Sequence, residues 1–182
     1  MDRDIVEAVL EMVSEGVTLT SLSLVSISRR ASVSRNSIYR RWKTKKRLLF
    51  DVVRSIERAA PQLTGQSARE NLVTVLDSFT RDIDERVIRL ELSIIAEAAT
   101  FPDLYEYFNE VVIAPLRSAL KLAVRAGKES GEIRVDVDEN ELVAVLAALN
   151  LVRVSGGDLW NVDAAAGSQR LVDLTFDGVS PT

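Results

Sequence analysis

Apolar residues recur at helical spacing along almost the whole chain, and this pattern limits the possible folds more than any other feature. In the first segment, Ile5, Val9 and Val13 lie on one face of a helix. No stretch keeps the alternation of apolar and polar residues that marks a half-buried strand, and no repeat of about 20–50 residues is present. The sequence therefore predicts an all-α protein.

The pattern predicts about nine helices, whose ends are marked by capping residues, glycine or proline. Ser23, Ser34, Thr44 and Ser67 each stand where a side-chain oxygen can cap a helix. Pro115 should kink or split the seventh helix, because proline removes a hydrogen bond from a helix interior. The predicted helices span residues 4–15, 24–32, 35–42, 45–60, 68–82, 84–99, 102–125, 139–154 and 164–176.

Charge is divided unevenly between the two parts of the chain. The net charge is −4, but the first sixty residues carry +5 and the rest carry −9. Nine Lys or Arg residues and no acid lie between Gly16 and Phe50. Such a division is typical of a module that binds a polyanion and is joined to an acidic domain.

The residue types that are absent limit the chemistry. The chain has no Cys and no His, which excludes disulfides, Cys/His zinc sites and His-dependent catalytic triads. The acids from Asp136 to Glu141 lack the glycine and the distal Glu of an EF-hand loop, so we interpret them as a helix cap. We predict no enzyme activity, no cofactor and no bound metal. Because the amphipathic N-terminus is unlike a signal peptide and no apolar run reaches eighteen residues, we also predict a cytoplasmic protein with no membrane partner.

A short helix, a tight link and a second short helix between residues 24 and 42 fit a helix-turn-helix. Ala31, Val33 and Ile38 are the apolar residues that would hold its two helices together. The second helix of such a motif lies in the major groove of DNA. The sequence therefore predicts a DNA-binding unit inside the basic segment.

Side chains suited to DNA contact stand at the start of this second helix. Arg35 can form two hydrogen bonds with guanine, and Asn36 can do the same with adenine. Tyr39, Lys45 and the amide end of the next helix at Thr44 would bind phosphate. The complete predicted DNA-binding set is Ser34, Arg35, Asn36, Ser37, Tyr39, Arg40, Arg41, Thr44 and Lys45.

The spacing of these residues resembles the DNA-binding segment of the TetR family of bacterial transcription repressors. The matching residues are Ala31-Ser32-Val33-Ser34, Ile38-Tyr39, Trp42, Lys45 and Leu48. The resemblance covers about the first fifty residues, and it implies that Tyr39 and Lys45 contact phosphate. The chain departs from the family pattern in three ways: Ser32 stands where the family usually has glycine, Ser28 replaces a customary alanine, and the link after Gly16 is about two residues longer.

The resemblance implies two functional domains, a helix-turn-helix DNA-binding domain in residues 1–50 and an effector-binding and dimerisation domain in residues 51–182. The fourth helix, 44–60, would connect them. The function implied is that of a ligand-responsive repressor, which a small-molecule effector releases from a partly palindromic operator in double-stranded DNA. Members of the family are usually homodimers through their last two helices.

Two sets of residues follow from this implied organisation. The candidate dimer residues have the right helical spacing, although they would equally face their own core: Leu142, Val145, Leu146, Leu149, Leu171 and Leu174. The candidate ligand residues are aromatic, or polar within apolar segments, and core packing or mutual pairing is the alternative for them: Phe79, Glu91, Tyr105, Phe108, Asn150 and Arg153. Glu97 belongs to the same polar class.

A different class of function fits the charge division as well. An acidic helical binding protein, or a small carboxylate-based enzyme, would use the basic segment to dock RNA or protein. DNA binding through many phosphates weakens steeply as salt rises, which separates it from binding at an apolar site.

Overall fold

The computed structural model describes residues 2–65, 67–80, 83–154 and 167–179, and none of these residues forms a β-strand. The prediction of an all-α protein is confirmed. A five-residue π-helix spans Asn109–Ile113. The α-helices in the described residues are α1 (Asp2–Ser14), α2 (Leu24–Arg30), α3 (Arg35–Arg41), α4 (Lys45–Ser55), α5 (Ala68–Ser78), α6 (Glu85–Ala96), α7 (Pro102–Phe108), α8 (Ala114–Glu129), α9 (Glu139–Val154) and α10 (Gly167–Val179).

Helix starts follow the predicted capping residues closely. Ser23, Ser34, Thr44 and Ser67 are the N-caps of α2, α3, α4 and α5, and each side chain accepts a hydrogen bond from a backbone amide in the first turn. Each cap satisfies one of the amide groups that a helix leaves without an internal partner. The structure confirms these four predicted caps. They could be predicted because each cap depends only on residues that are close in the sequence.

The fourth helix is shorter than predicted, since α4 ends at Ser55 and not at residue 60. Its buried apolar face is complete once Val53 and Ile56 are packed, and the following residues add only exposed or half-buried positions. Pro61 also disfavours helical backbone at the residue before it. The helix therefore ends where further turns would bury no more apolar surface.

The seventh predicted helix is split, as the position of Pro115 indicated. The chain leaves α7 at Phe108, passes through the π-helix, and begins α8 with Pro115 in its first turn. Pro115 has no amide hydrogen to donate, so the helical hydrogen-bond pattern changes at this point. The wider π-turn absorbs the change in backbone pairing.

The eighth helix continues beyond the predicted end at residue 125, through Gly127 to Glu129. A Cβ atom at Gly127 would stand 2.6 Å from the Cβ of Ala68 and 2.7 Å from the Cδ1 of Ile133. Gly127 is therefore needed for close packing of α8 against α5.

The chain divides into two compact units, which are described separately. Unit 1 contains residues 1–57 and 83–112, and unit 2 contains residues 58–82 and 113–182. In unit 2, α5, α8, α9 and α10 enclose a core that includes Leu72, Leu120, Leu146 and Val172. The functional division predicted from the sequence, 1–50 and 51–182, stays a prediction. Within the part of the chain described, no helix is both long and apolar enough to cross a membrane.

We predict that Gly127→Ala lowers the free energy of unfolding by about 1–3 kcal/mol, because the added methyl group overpacks the contact with Ala68. Gly178→Ala is the matched control, since a Cβ there meets nothing within 4 Å, and we expect a change within about 0.5 kcal/mol. Urea unfolding of both variants checks this. Equal stability of the two variants would contradict the close packing of α5 and α8.

Candidate nucleic-acid interface

The helix α3 has one apolar face and one polar face. Ile38 is 1% exposed and Trp42, at the end of the helix, is also buried, so this face packs into unit 1. Arg35 and Arg40 are exposed on the other face, and the Tyr39 side chain is 43% exposed. The helix thus presents the side chains that the sequence assigned to DNA.

Three hydroxyl groups of the predicted DNA-binding set already have structural partners. Ser34 Oγ accepts a hydrogen bond from the Ser37 amide at 3.1 Å and lies 2.8 Å from Ser37 Oγ. Thr44 Oγ1 accepts from the Arg47 amide at 3.2 Å. These side chains set the starts of α3 and α4, and their contacts with DNA stay predictions.

Trp42 joins the end of α3 to α4. Its Nε1 donates a hydrogen bond to Asp51 Oδ2 at 2.7 Å. The guanidinium of Arg41 lies 5.1 Å from the centroid of the Trp42 ring, within the range of a cation–π contact. One buried aromatic residue therefore holds both the polar face of α3 and the adjoining arginine in place.

The link between α2 and α3 contains a serine in a left-handed conformation. Ser32 has φ of +55°, in the position where the resembling family usually has glycine. Its amide donates to the Arg29 carbonyl, and the Val33 amide donates to the Ser28 carbonyl, which is the Schellman arrangement. These hydrogen bonds hold the turn even though its residue carries a Cβ atom.

Lys45 and Glu97 both contact the link between α1 and α2. Lys45 Nζ donates to the carbonyl oxygens of Leu19 and Thr20 at 2.9 and 2.8 Å. Glu97 Oε1 accepts from the Leu19 amide at 2.6 Å, and Glu97 Oε2 accepts from the Thr20 amide at 2.9 Å and the Thr20 hydroxyl at 2.7 Å. The structure therefore places the Lys45 ammonium on main-chain carbonyls, and it places Glu97 on the same two residues.

These contacts also determine how Glu97 titrates. Burial alone would raise the pKa of Glu97, but the hydrogen bonds from Thr20 and Leu19 and the charge of Lys45 outweigh it, so the pKa lies below its ordinary value of 4.5. A carboxyl group with a lowered folded-state pKa stabilises the fold fully above the unfolded-state value. Its contribution is lost as the pH falls through the folded-state pKa.

Other bases of the segment form two groups. Arg30 pairs with Glu15 at 2.6 Å, and their hydrogen bond raises the pKa of Arg30 and lowers that of Glu15. Lys46 pairs with Asp103. By contrast, five exposed bases have no ion pair within the described residues: Arg29, Arg35, Arg40, Lys43 and Arg47.

Arg29, Lys43 and Arg47 were not in the predicted set, although the basic run itself was a sufficient signal for them. Each is an exposed base of the charged segment, and Arg47 stands in the first turn of α4. We therefore add them to the candidate phosphate contacts.

The six candidate ligand residues fall into the two units. Glu91, Tyr105 and Phe108 belong to unit 1, where Phe108 is fully buried and Tyr105 is exposed. Phe79, Asn150 and Arg153 belong to unit 2. The structure therefore does not place all six within one unit.

In unit 2, Arg153 is the centre of a buried polar cluster. Its Nη2 donates to Thr80 Oγ1 at 2.8 Å, Asn150 Oδ1 at 2.9 Å and Ser168 Oγ at 3.3 Å. Burial lowers the pKa of Arg153, and the charge of Asp77 opposes that shift. Asn150 and Arg153 are thus paired with each other, which was the alternative that the sequence left open, and a role in ligand binding stays a prediction.

The six candidate dimer residues also separate by burial. Leu142, Leu146 and Leu171 are buried within unit 2. Val145 and Leu149 on α9 and Leu174 on α10 are exposed, and Leu174 is 70% exposed. Of the six candidates, only Val145, Leu149 and Leu174 are accessible for contact with another chain.

A helix-turn-helix with a basic outer face and a second helical unit defines a DNA-binding regulatory protein. Residues 62–174 match the family model described as the tetracyclin repressor-like C-terminal domain. Because this match covers more than half of the chain, the protein belongs to the TetR family of transcriptional regulators.

Solved structures of TetR-family and other transcriptional regulators share the fold. A regulator from Saccharomonospora viridis in complex with choline is 19% identical, with a TM-score of 0.73 over 100% of this chain and 98% of that chain. A TetR-family regulator from Rhodococcus sp. is 18% identical, with a TM-score of 0.69 over 98% and 97%. FadR from Bacillus subtilis in complex with stearoyl-CoA is 18% identical, with a TM-score of 0.64 over 97% and 96%. A sequence search of curated proteins found no match.

We predict opposite effects for two substitutions of Ser32. Ser32→Gly should raise the free energy of unfolding by up to about 1 kcal/mol, because glycine adopts positive φ without strain. Ser32→Val should lower it by about 1–2 kcal/mol, since a branched side chain is disfavoured in this conformation. Thermal unfolding measures both. A valine variant as stable as the glycine variant would show that the turn is not left-handed.

Proposed function

We propose that this regulator is a cytoplasmic homodimeric repressor, which binds a partly palindromic DNA operator and is released by a small-molecule effector. It acts by binding alone and catalyses no reaction. The observation that carries the proposal is the outer face of α3, where Arg35, Asn36, Tyr39 and Arg40 are exposed and where Arg35 and Arg40 have no ion pair among the described residues. Such side chains read the edges of nucleobases in the major groove of DNA. The lysine and arginine side chains around them bind the phosphates.

The operator is found by selecting duplexes from a random-sequence pool with the purified protein. We expect a sequence with two related half-sites one helical turn or a multiple of a turn apart, because a symmetric dimer presents two recognition helices. Binding should weaken steeply with salt, since each neutralised phosphate releases counterions. Recovery of no preferred sequence would exclude the repressor function.

We predict that Arg35→Ala weakens operator binding by about 1–3 kcal/mol and relaxes the preference at one base pair, because Arg35 reads a base edge. Arg89→Ala is the matched control, as it removes an exposed arginine of α6, outside α3 and the proposed dimer surface, and should leave binding to both operator and random DNA unchanged. Fluorescence anisotropy with operator and with random duplex measures the effect. Equal losses for Arg35→Ala on the two duplexes would exclude base reading.

Dimerisation is proposed to use the outer faces of α9 and α10. Val145, Leu149 and Leu174 supply exposed apolar surface there, and leucine side chains left in water favour association. The buried residues Leu142, Leu146 and Leu171 would support this surface from below.

We predict that Leu174→Glu weakens the dimer at least tenfold, which corresponds to about 1.4 kcal/mol, because it places a charge in an apolar interface. Val135→Glu is the control: Val135 is 81% exposed in the loop before α9 and lies outside the proposed surface. Sedimentation equilibrium gives the dissociation constants. If both variants dimerise like the unmodified protein, the interface lies elsewhere.

We propose that the effector binds in unit 2. The ligands of the structural neighbours give only a general guide to its chemistry. One structural neighbour was solved with choline and another with stearoyl-CoA, so the shared fold accommodates ligands of very different chemistry. Phe79, Asn150 and Arg153 stay the candidate contacts in this unit. Linkage requires that an effector which weakens operator binding is itself weakened by operator to the same factor.

A further inference from the structure

All four main-chain polar groups of two residues in the α1–α2 link are held by charged side chains from other helices. The Glu97 carboxylate accepts hydrogen bonds from the backbone amides of Leu19 and Thr20. The Lys45 ammonium donates hydrogen bonds to the carbonyl oxygens of the same two residues. Leu19 is fully buried, so its backbone groups require partners. The two charges therefore bind the link from both of its polar edges.

Both charges stand at helix ends where the helix dipole disfavours them. Glu97 is the C-cap of α6, where the dipole is negative, and Lys45 is the first residue of α4, where it is positive. Neither residue stabilises its own helix by this placement. Their contribution must come from the contacts that they make with the link.

The surroundings of Lys45 also direct its side chain toward the link. Its ammonium lies 5.5 Å from the centroid of the Phe101 ring and is attracted by the Glu97 carboxylate. A phosphate contact would have to draw the ammonium away from two carbonyls, an aromatic face and a carboxylate. These four partners outnumber what a single surface phosphate offers.

The link leads directly into the helices that meet DNA. Ser23, four residues after Leu19, begins α2 with a capping box, and α2 packs against α3. Lys45 is next to Thr44, the cap of α4. A contact between Lys45 and the link therefore sets the recognition helix relative to the amide end of α4.

We propose that Glu97 and Lys45 are positioning residues for operator binding, which clamp Leu19 and Thr20 and so hold α3 in register with the N-terminus of α4. Lys45 acts through the link and is not a phosphate contact. The inference rests on the proposed function, because it assigns these residues to the same DNA interface. It replaces the phosphate role that the sequence predicted for Lys45.

The test compares Glu97→Gln, Lys45→Met and the double variant with two matched controls. Glu106→Gln on α7 and Lys121→Met on α8 make the same chemical changes outside the clamp and outside the basic segment. Each protein is titrated with the selected operator and with random duplex across a series of salt concentrations. Circular dichroism at the same temperature establishes that each variant is folded.

We expect each clamp variant to bind the operator about tenfold more weakly, while binding to random duplex changes much less. Loss of folded protein would instead weaken binding to both duplexes by the same factor. The double variant should bind the operator only slightly less tightly than the single variant with the larger loss, because both side chains hold the same two residues. The salt dependence of Lys45→Met should match that of the unmodified protein.

Exchange of the Leu19 and Thr20 amide protons gives a readout that does not depend on DNA. Glu97→Gln should speed exchange at these two positions, and Glu106→Gln should leave it unchanged. Unchanged protection in Glu97→Gln would overturn the clamp even if operator binding were weakened.

Five outcomes with DNA would overturn the inference. A decrease of about one in the salt slope of Lys45→Met would show that Lys45 contacts phosphate directly. Equal losses on operator and random duplex would reduce the two residues to a role in stability, and additive losses would show that they act independently. If the unmodified protein selects no operator, the proposed function fails and this inference falls with it, whereas selective binding that the variants do not alter overturns the clamp alone.

Discussion

The basic surface of unit 1 lies over a layer of apolar packing. Nine lysine and arginine residues without an acid in one segment repel one another, and burial of apolar side chains beneath them offsets part of this repulsion. Ile27, Ile38, Trp42 and Leu48 supply this burial, each being at most 4% exposed. Charge repulsion acts over a long range, whereas packing acts only between atoms in contact. The apolar packing therefore determines how the helices of this segment are arranged, and the charged side chains stay on the surface.

Acids from elsewhere in unit 1 neutralise some of these bases and leave others exposed. Glu15 pairs with Arg30, Asp103 pairs with Lys46, and Glu97 lies near Lys45 through the link that both contact. Exposed ion pairs of this kind add little stability individually. Their larger effect is to divide the basic side chains into two groups, since Arg35 and Arg40 are left without an ion pair within the described residues and belong to the proposed DNA-binding face.

Local signals carried most of what could be predicted from the sequence. The capping residues, such as Ser23, and the split at Pro115 each depend on residues within a few positions, and the structure confirms them. The end of α4 and the continuation of α8 through Gly127 depended on tertiary packing, and the predictions there were wrong. The contact between Leu19 and Glu97 joins residues 78 positions apart, so no local pattern could reveal it.

The departures from the family pattern are compensated in the structure by hydrogen bonds. Ser32 accepts a conformation that favours glycine, and two backbone hydrogen bonds across the turn offset its strain. The longer link after Gly16 has more conformational freedom to lose on folding than a shorter one. Leu19 and Thr20 lie in that link, and the charged side chains of Glu97 and Lys45 bind both of them. On the proposed function, the longer link and the charged clamp belong together, because added chain length beside the DNA-binding helices requires added contacts if α3 is to keep one orientation.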